Sequence, residues 1–386
     1  MIGVIADDLT GAAEIGAVGL RHGLRAEIIF RNKPGIEADL VCVDTDSRAQ
    51  TESEAVKRTV AAVRLLKNCG AQWIYKKVDS VLRGHVAMEI EAAMKQLGFE
   101  RSLLAPANPS LRRTISGGIY FVRGKPIHKT EFARDPHFPR RSSRVIEMVK
   151  LPPGFSMGVH ELREGLPERG IVIAAAATWQ DVTGWAKALE EDVFPAGGAE
   201  FFDALLTLKN LRGKFQTPDA PAGGEESREF FVSGAATALA RRFAAAAKQK
   251  KQPVFSLPKE LGWGGDLAPA AAEAVGKRIA EAFDSHVRVV LTVGLPRVCN
   301  PKVSERLSDH VAHIAVQALR HADVAHVFSE GGATSAALVR RMKWRRLTVL
   351  REHAPGVATL LADEGKKIFL TIKPGSYSWP PGFIGN

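Results

Sequence analysis

The sequence predicts an α/β protein of two domains, each a mainly parallel sheet flanked by helices, with a ligand cleft between them. Three observations carry this. Short apolar runs alternate with stretches of helical periodicity in both halves of the chain, which implies crossover connections and parallel strands. The 386 residues exceed the roughly 250 to 300 at which a single core stops growing. Within the first 85 residues, charged groups follow one candidate strand after another, and strand ends are where open parallel sheets bind ligands.

In chain order, the apolar runs at 2–6, 26–30, 40–43, 73–75, 103–105 and 171–175 read as strands. Between them, Val56, Val60, Val63 and Leu66 mark one buried helix face, and Val86, Ile90, Ala93, Met94 and Leu97 another. Residues 106–160 are rich in Arg, Pro and Gly and poor in periodicity, so they read as a long functional excursion. The clearest break is 211–229, where Lys214, Pro218, Pro221, Gly223 and Gly224 sit among polar residues. The expected organisation is a first domain at 1–210, a linker at 211–229 and a second domain at 230–386. Strands are expected there at 230–232, 254–257, 287–295, 327–328, 347–350 and 368–372, with helices at 234–249, 267–286, 303–321 and 334–342.

Composition narrows the function. A hydrophobic content of 45% with 25% charged residues suits a globular core, and 53 Lys and Arg against 42 Asp and Glu favour anionic partners. The basic clusters are short and lack interleaved aromatics, so nucleic acid is not expected. Cys42, Cys69 and Cys299 are too few and too scattered for a disulfide framework or a zinc site. Apolar stretches such as 171–177 and 287–295 are shorter than the roughly 20 residues of a spanning helix, and the chain opens directly on a strand. A cytoplasmic protein without membrane partners is the expectation.

The recurring strand-end charges are Asp7 and Asp8; Asp44, Asp46 and Arg48; and Lys76, Lys77, Asp79 and Arg83. A cluster of both signs at a sheet edge suits a small polar or anionic substrate and a proton transfer. The competing reading is helix capping by Asp7, Asp8 and Asp46 with solvated lysines. Two turns in the second half, Ser329-Glu330-Gly331-Gly332-Ala333-Thr334-Ser335 and Lys373-Pro374-Gly375-Ser376, follow strands and fit phosphate binding through backbone N–H groups. The G-x-x-x-x-G-K-[ST], G-x-G-x-x-G, G-x-S-x-G and H-E-x-x-H patterns are absent. His310, His313, His321 and His326 read as solvated or core residues, and no metal site is expected.

Ala6-Asp7-Asp8-Leu9-Thr10-Gly11-Ala12, Asp44-Thr45-Asp46-Ser47-Arg48 and, above all, Lys76-Lys77-Val78-Asp79-Ser80-Val81-Leu82-Arg83-Gly84 resemble the sugar-binding domain of the four-carbon acid sugar kinases. Pro106-Ala107-Asn108-Pro109 with Arg113-Thr114, Glu131-Phe132-Ala133-Arg134-Asp135-Pro136, Gly331-Gly332-Ala333-Thr334, Ala354-Pro355-Gly356-Val357 and Ile372-Lys373-Pro374-Gly375 continue the resemblance in order. It implies ATP-dependent phosphorylation of the terminal hydroxyl of threonate, erythronate or a 3-oxo-tetronate, with Mg²⁺ on the phosphates. Asp8 would orient the hydroxyl and accept its proton, with Asp79 as the alternative. Arg48 and Arg83 would pair with the substrate carboxylate. Lys77, Val78 and Ser80 would complete the acid site, and Lys77 would offset charge on the transferring phosphoryl group. Ser233, Gly234, Gly331, Gly332, Ala333, Thr334 and Gly375 would hold the nucleotide.

The nucleotide half departs from the family pattern. Val232-Ser233-Gly234-Ala235-Ala236-Thr237 replaces a G-S-x-S block, Ala333 stands where aspartate is common, and Ser376-Tyr377-Ser378-Trp379 replaces an N-F-G stretch. Backbone amides do not depend on those side chains. A noncatalytic sugar-acid sensor is the alternative function; the oligomeric state is left open, with 106–160 as the segment that could serve as the arm of a homodimer.

Overall fold

The computed structural model describes the chain apart from residues 31–34, 36, 136, 217–226, 297–299, 363–365, 376, 382 and 384–386, and apart from the side chains of 262 and 263. Cys299, Ser376 and the linker residues Pro218, Pro221, Gly223 and Gly224 lie outside the described residues. The chain divides into two units, Met1–Phe215 and Gln216–Asn386.

The first unit runs β1 (Ile2–Ala6), α1 (Leu9–Arg21), β2 (Ala26–Ile29), β3 (Leu40–Asp44), α2 (Glu52–Asn68), β4 (Trp73–Lys77), α3 (Val86–Leu97) and β5 (Arg101–Ala105). It continues through β6 (Arg113–Ser116), β7 (Ile119–Val122), β8 (Lys125–Pro126), α4 (Val145–Met148), β9 (Met157–His160), β10 (Gly170–Ala174), α5 (Trp179–Lys187), β11 (Val193–Gly197) and α6 (Ala199–Leu208). Its main sheet is parallel, in the order β2-β3-β1-β4-β11-β5-β10-β9. β1, β2 and β3 are buried along their whole length, which is why their sequences are continuous apolar runs rather than alternating ones. After β3 the chain crosses β1 and lays β4 on its far side. The carboxyl ends of β3, β1 and β4 therefore surround a topological switch point.

Two features of this unit were not expected. β11 inserts between β4 and β5 although it carries Pro195, and proline has no N–H for a ladder. Its pairing with β4 accordingly begins only after the proline, at Ala196 and Gly197. The excursion at 106–160 contains the three-stranded antiparallel sheet β6-β7-β8 and the edge strand β9. Ile115, Tyr120, Val122, Ile127, Phe132 and Val145 from it are buried in the unit's main core, so it folds onto its own unit rather than projecting as an arm.

The second unit runs β12 (Glu229–Ser233), α7 (Ala238–Gln249), β13 (Val254–Ser256), α8 (Pro269–Ala282), β14 (Arg288–Thr292) and α9 (Pro301–His321). It ends with β15 (His326–Glu330), α10 (Gly332–Met342), β16 (Arg346–Ala354), β17 (Val357–Ala362) and β18 (Ile368–Lys373). The sheet order is β13-β14-β12-β15-β18-β17-β16, parallel through β18 and antiparallel over the last three strands. The turn at Pro355-Gly356 makes the β16–β17 hairpin, and Gly356 sits at φ +77. The expected helix at 234–249 starts late, at Ala238, because Thr237 caps it by accepting the Ala240 N–H at 3.1 Å. That leaves 234–237 as a loop.

Aromatic packing builds the second core: Phe231 stacks on Phe328 with centroids 4.3 Å apart, and Trp379 and Phe383 close over them. Beside it a hydrogen-bonded chain crosses four strands. His326 is bonded to Thr371 at 2.7 Å, Thr371 to Thr359 at 2.6 Å, and Thr359 to His353 at 2.7 Å. Burial lowers both imidazoles to about 4, helped by His353 for His326 and by Arg351 for His353.

Candidate active site

Register sets the first site. Ala6 pairs with Asp44 on one side and with Lys77 on the other, so β1, β3 and β4 end level and their following loops converge. Asp8 caps α1, accepting the Gly11 N–H at 2.8 Å on Oδ1 and the Thr10 hydroxyl at 2.5 Å on Oδ2. Capping and clustering thus coexist in one residue. Gly11 makes room for this, because a Cβ there would lie 2.8 Å from Asp8 Oδ1 and 3.3 Å from Lys77 Nζ.

Arg48 ties the loops together. Its Nε and Nη2 donate to Asp7 Oδ2 and Oδ1 at 2.7 and 2.9 Å, and its Nη1 donates to Asp8 Oδ2 at 2.6 Å, with Asp79 Oδ1 3.8 Å away. Arg83 forks onto Asp79 through Nε and Nη2, both at 2.9 Å, and reaches Asp135 from the excursion through Nη1 at 3.0 Å. Burial opposes ionisation of Asp7 and Asp79. Arg48 nevertheless holds Asp7 below the usual carboxylate range, and Arg83 with Arg48 holds Asp79 well below it. Burial likewise works against the charge on Arg48, but Asp7, Asp8 and Asp79 keep the guanidinium firmly protonated.

The remaining residues expected to line the first site are fixed by backbone as much as by charge. Lys77, buried, donates to the Val78 carbonyl at 3.1 Å and pairs with Glu14 of α1 at 3.0 Å; burial lowers its proton affinity, but Glu14, Asp8 and Asp7 more than offset that. The Val78 side chain belongs to the core, and its N–H donates to the Gly197 carbonyl at 3.0 Å. The Ser80 hydroxyl accepts from Arg113 Nη1 and its carbonyl accepts from the Tyr120 hydroxyl. Lys76 takes no part: fully buried, it pairs with Glu89 of α3 at 2.8 Å. Arg113, Tyr120, Asp135 and Glu14 are partners that sequence reasoning left without a role. Glu14 had a signal, as the one acidic residue in an otherwise apolar helix.

Asp44 is different from its neighbours. Its Oδ1 accepts the Asp46 N–H at 2.8 Å, and no ion pair reaches it among the described residues. Burial pushes this carboxyl well above the usual range, and the charges of Asp46, Asp8 and Asp7 add to the push beyond what the Asp46 N–H offsets.

The second site is made of backbone. Ser233, Glu330 and Lys373 are in register at the ends of β12, β15 and β18. The three turns that follow meet: a Cβ on Gly234 would fall 1.6 Å from Thr334 Oγ1, and one on Gly375 would lie 3.3 Å from the Ala235 Cβ. Gly331, at φ +103, donates its N–H to the Lys373 carbonyl at 2.9 Å and precedes α10. Among the described residues no side chain caps α10, so the N–H groups of Gly332, Ala333 and Thr334 are offered to an anion. Ala333 is exposed there, whereas Thr334 is buried. Beneath the turns, Glu330 accepts the Ser233 hydroxyl at 2.9 Å and pairs with Lys373 at 2.9 Å. Lys373 also donates to the carbonyls of Pro374 and Tyr377 and lies 5.3 Å from the centroid of the Trp379 ring. Its ammonium is thus spent inside the unit, and the turns are left to bind with amides.

Fold and sites together define a protein that joins a sugar-binding to a nucleotide-binding α/β unit: residues 2–205 match the family model described as a sugar-binding N-terminal domain, and residues 230–377 the one described as a nucleotide-binding C-terminal domain. A D-threonate kinase of Salmonella typhimurium is 26% identical, with 97% of this chain and 94% of that protein covered. A 3-oxo-tetronate kinase of Pseudomonas fluorescens is 26% identical over 98% and 94%, and a D-erythronate kinase of Heliobacterium modesticaldum 24% identical over 99% and 94%. A solved structure from Salmonella typhimurium shares the fold with a TM-score of 0.76 at 19% identity, covering 98% of this chain and 96% of that one. One from Haemophilus influenzae does so with a TM-score of 0.70 at 20% identity, covering 98% and 97%. The chain belongs to the four-carbon acid sugar kinase family.

Proposed function

We infer that this protein is an ATP-dependent kinase that phosphorylates the terminal hydroxyl of a four-carbon sugar acid of the threonate, erythronate or 3-oxo-tetronate type. The observation that carries this reading is the end-to-end similarity to kinases of those three acids, with a sugar-binding and a nucleotide-binding model matched in the same order. Geometry supports it. Arg48 and Arg83 each spend only part of their donor fork on aspartates, which leaves N–H groups to meet a substrate carboxylate. Asp8, Lys77, Asp79 and Ser80 supply the surrounding polar groups, Val78 anchors their loop in the core, and Lys77 offsets charge on the transferring phosphoryl group.

The amides of Gly332, Ala333 and Thr334 at the start of α10 hold the phosphates of ATP, and Ser233, Gly234, Gly331 and Gly375 shape the turns around them, the Gly234 and Gly331 N–H groups being bonded to the Glu330 and Lys373 carbonyls. Mg²⁺ enters as the complex of that nucleotide and neutralises the charge that builds on its oxygens. We place the protein in the cytoplasm, where ATP is held, working on small molecules. Among the described residues no helix is long and apolar enough to cross a membrane. The test is ADP release with ATP and Mg²⁺ across D- and L-threonate, D- and L-erythronate and their oxo-acid relatives. Turnover on one acid is expected. Acid binding without ATP binding or turnover would overturn the kinase reading in favour of a sensor.

A further inference from the structure

We propose that Asp44, rather than Asp8 or Asp79, is the general base that takes the proton from the attacking hydroxyl, an assignment that rests on the kinase reading above. The argument is one of occupancy. Both oxygens of Asp7 are taken by Arg48, Asp8 accepts from Gly11, Thr10 and Arg48, and Asp79 accepts three hydrogen bonds from Arg83. Carboxylate oxygens already occupied by that many donors have little lone-pair density left to turn toward a substrate hydroxyl. Asp44 is only 6% exposed, accepts one backbone N–H on Oδ1, and faces negative charge on Asp7, Asp8 and Asp46. Its Oδ2 accepts from no donor among the described residues, whereas every carboxylate oxygen of Asp7, Asp8 and Asp79 accepts from at least one.

Placement agrees with the role. Asp44 is the last residue of β3, held level with Ala6 and Lys77 by the ladder, and the next residue is anchored by the Thr45 N–H and hydroxyl on the Ala6 carbonyl, both at 2.9 Å. A base on a strand end is held more rigidly than one on a loop. In the step, the hydroxyl O–H bond breaks and its proton passes to Asp44 Oδ2 while the oxygen bonds to the γ-phosphorus. The bond from that phosphorus to the β,γ-bridging oxygen breaks, and ADP leaves with the electron pair. The proton is later released from Asp44 to solvent.

A residue kept only for the fold would not be a buried acid without a cation, since asparagine fills the same space without a charge to desolvate. Asp44→Asn is therefore expected to lower kcat by about 100-fold or more, with acid affinity within about threefold of wild type. Its melting temperature at pH 8 should be unchanged or higher. The wild-type kcat should also fall on the acid side with an apparent pKa above the ordinary carboxylate range. The charges that act on Asp44 are Asp46 in its own turn and Asp7 and Asp8 after β1; Arg48 is tied to that pair, Lys77 stands level with Asp44 two strands away, and Arg58 of α2 donates to the carbonyls of Thr45 and Asp46. Turnover that survives Asp44→Asn, or a wild-type acid limb at the ordinary carboxylate pKa, overturns the base alone. Wild-type protein that turns over none of the acids overturns the kinase reading, and the base with it.

Discussion

The two sheets end in opposite ways. Side chains crowd the strand ends of the first unit: Asp7, Asp8, Arg48, Asp79 and Arg83 form one network of ion pairs, and Lys77 pairs with Glu14 beside it. Bare backbone turns close the second, where the buried pair Glu330 and Lys373 lies beneath them. On the proposed function, the difference follows from what each end would recognise. A four-carbon acid presents hydroxyls in a particular stereochemistry, which only directed side chains can read, whereas phosphate oxygens are satisfied by amide N–H groups that any residue supplies. The nucleotide half can therefore depart from the family pattern at Ala235, Ala333 and Tyr377 while its turns still meet. The same freedom is not open to Arg48.

The contrast breaks most visibly at that arginine. Arg48→Met leaves Asp7 buried without its partner and should cost about 3 to 5 kcal/mol, read by chemical denaturation, with Asp7→Asn on the same background recovering part of it. Loss of less than about 1 kcal/mol would mean that the network is a surface arrangement. Next in size is Gly234→Ala, which forces a Cβ against Thr334 Oγ1. Overpacking of that kind costs about 1 to 3 kcal/mol, so ATP affinity should fall by roughly tenfold or more while acid affinity holds.

Acid should separate the units further. His326 and His353 stay neutral in the fold down to about 4 but protonate near 6.5 when unfolded. The stability they contribute is complete above the unfolded value and is lost progressively as pH falls toward 4. Asp7 and Asp79 are depressed below 3.8, so what they contribute to the first unit is lost only below that value. Calorimetry from pH 7 to 4 should show the second unit weakening first, and His326→Gln with His353→Gln should remove that early loss. The smallest effect is expected at exposed Ala333. Asp there adds about 0.3 to 1 kcal/mol to α10 through the helix dipole. A tenfold or greater gain in ATP affinity would show that a side chain, not the amides, sets donor binding.

Much of this was legible in the sequence because it lies at chain-local transitions. Asp7 and Asp8 end an apolar run, Lys77 to Arg83 follow another, and the glycine turns open helices, so each could be placed from a short window. What was missed depends on pairings made far along the chain. β11 was hidden by Pro195, which argues against a central strand until its one-sided pairing is seen. β17 was hidden inside the block around Pro355, since nothing local says that 357–362 turns back along β16. Glu330 and Asp44 were visible as residues, but their meaning lies in which partners they have or lack. The role expected of Asp8, with Asp79 as the alternative, came with the family resemblance, and neither resemblance nor position reveals how many donors already hold a carboxylate.

The late arrival of β11 has a consequence for how the chain matures. During synthesis β4 and β5 emerge early, yet the strand that joins them is completed only at residue 197. Until then both carry an unpaired edge, and the excursion must emerge and fold in the interval. The acid site therefore waits on a contact of long sequence separation, the slow kind to form and the kind that leaves sticky edges open on the ribosome. A nascent chain stopped short of Val193 would hold nearly every residue of that site and still lack the strand that locks Lys76 and Lys77 into place.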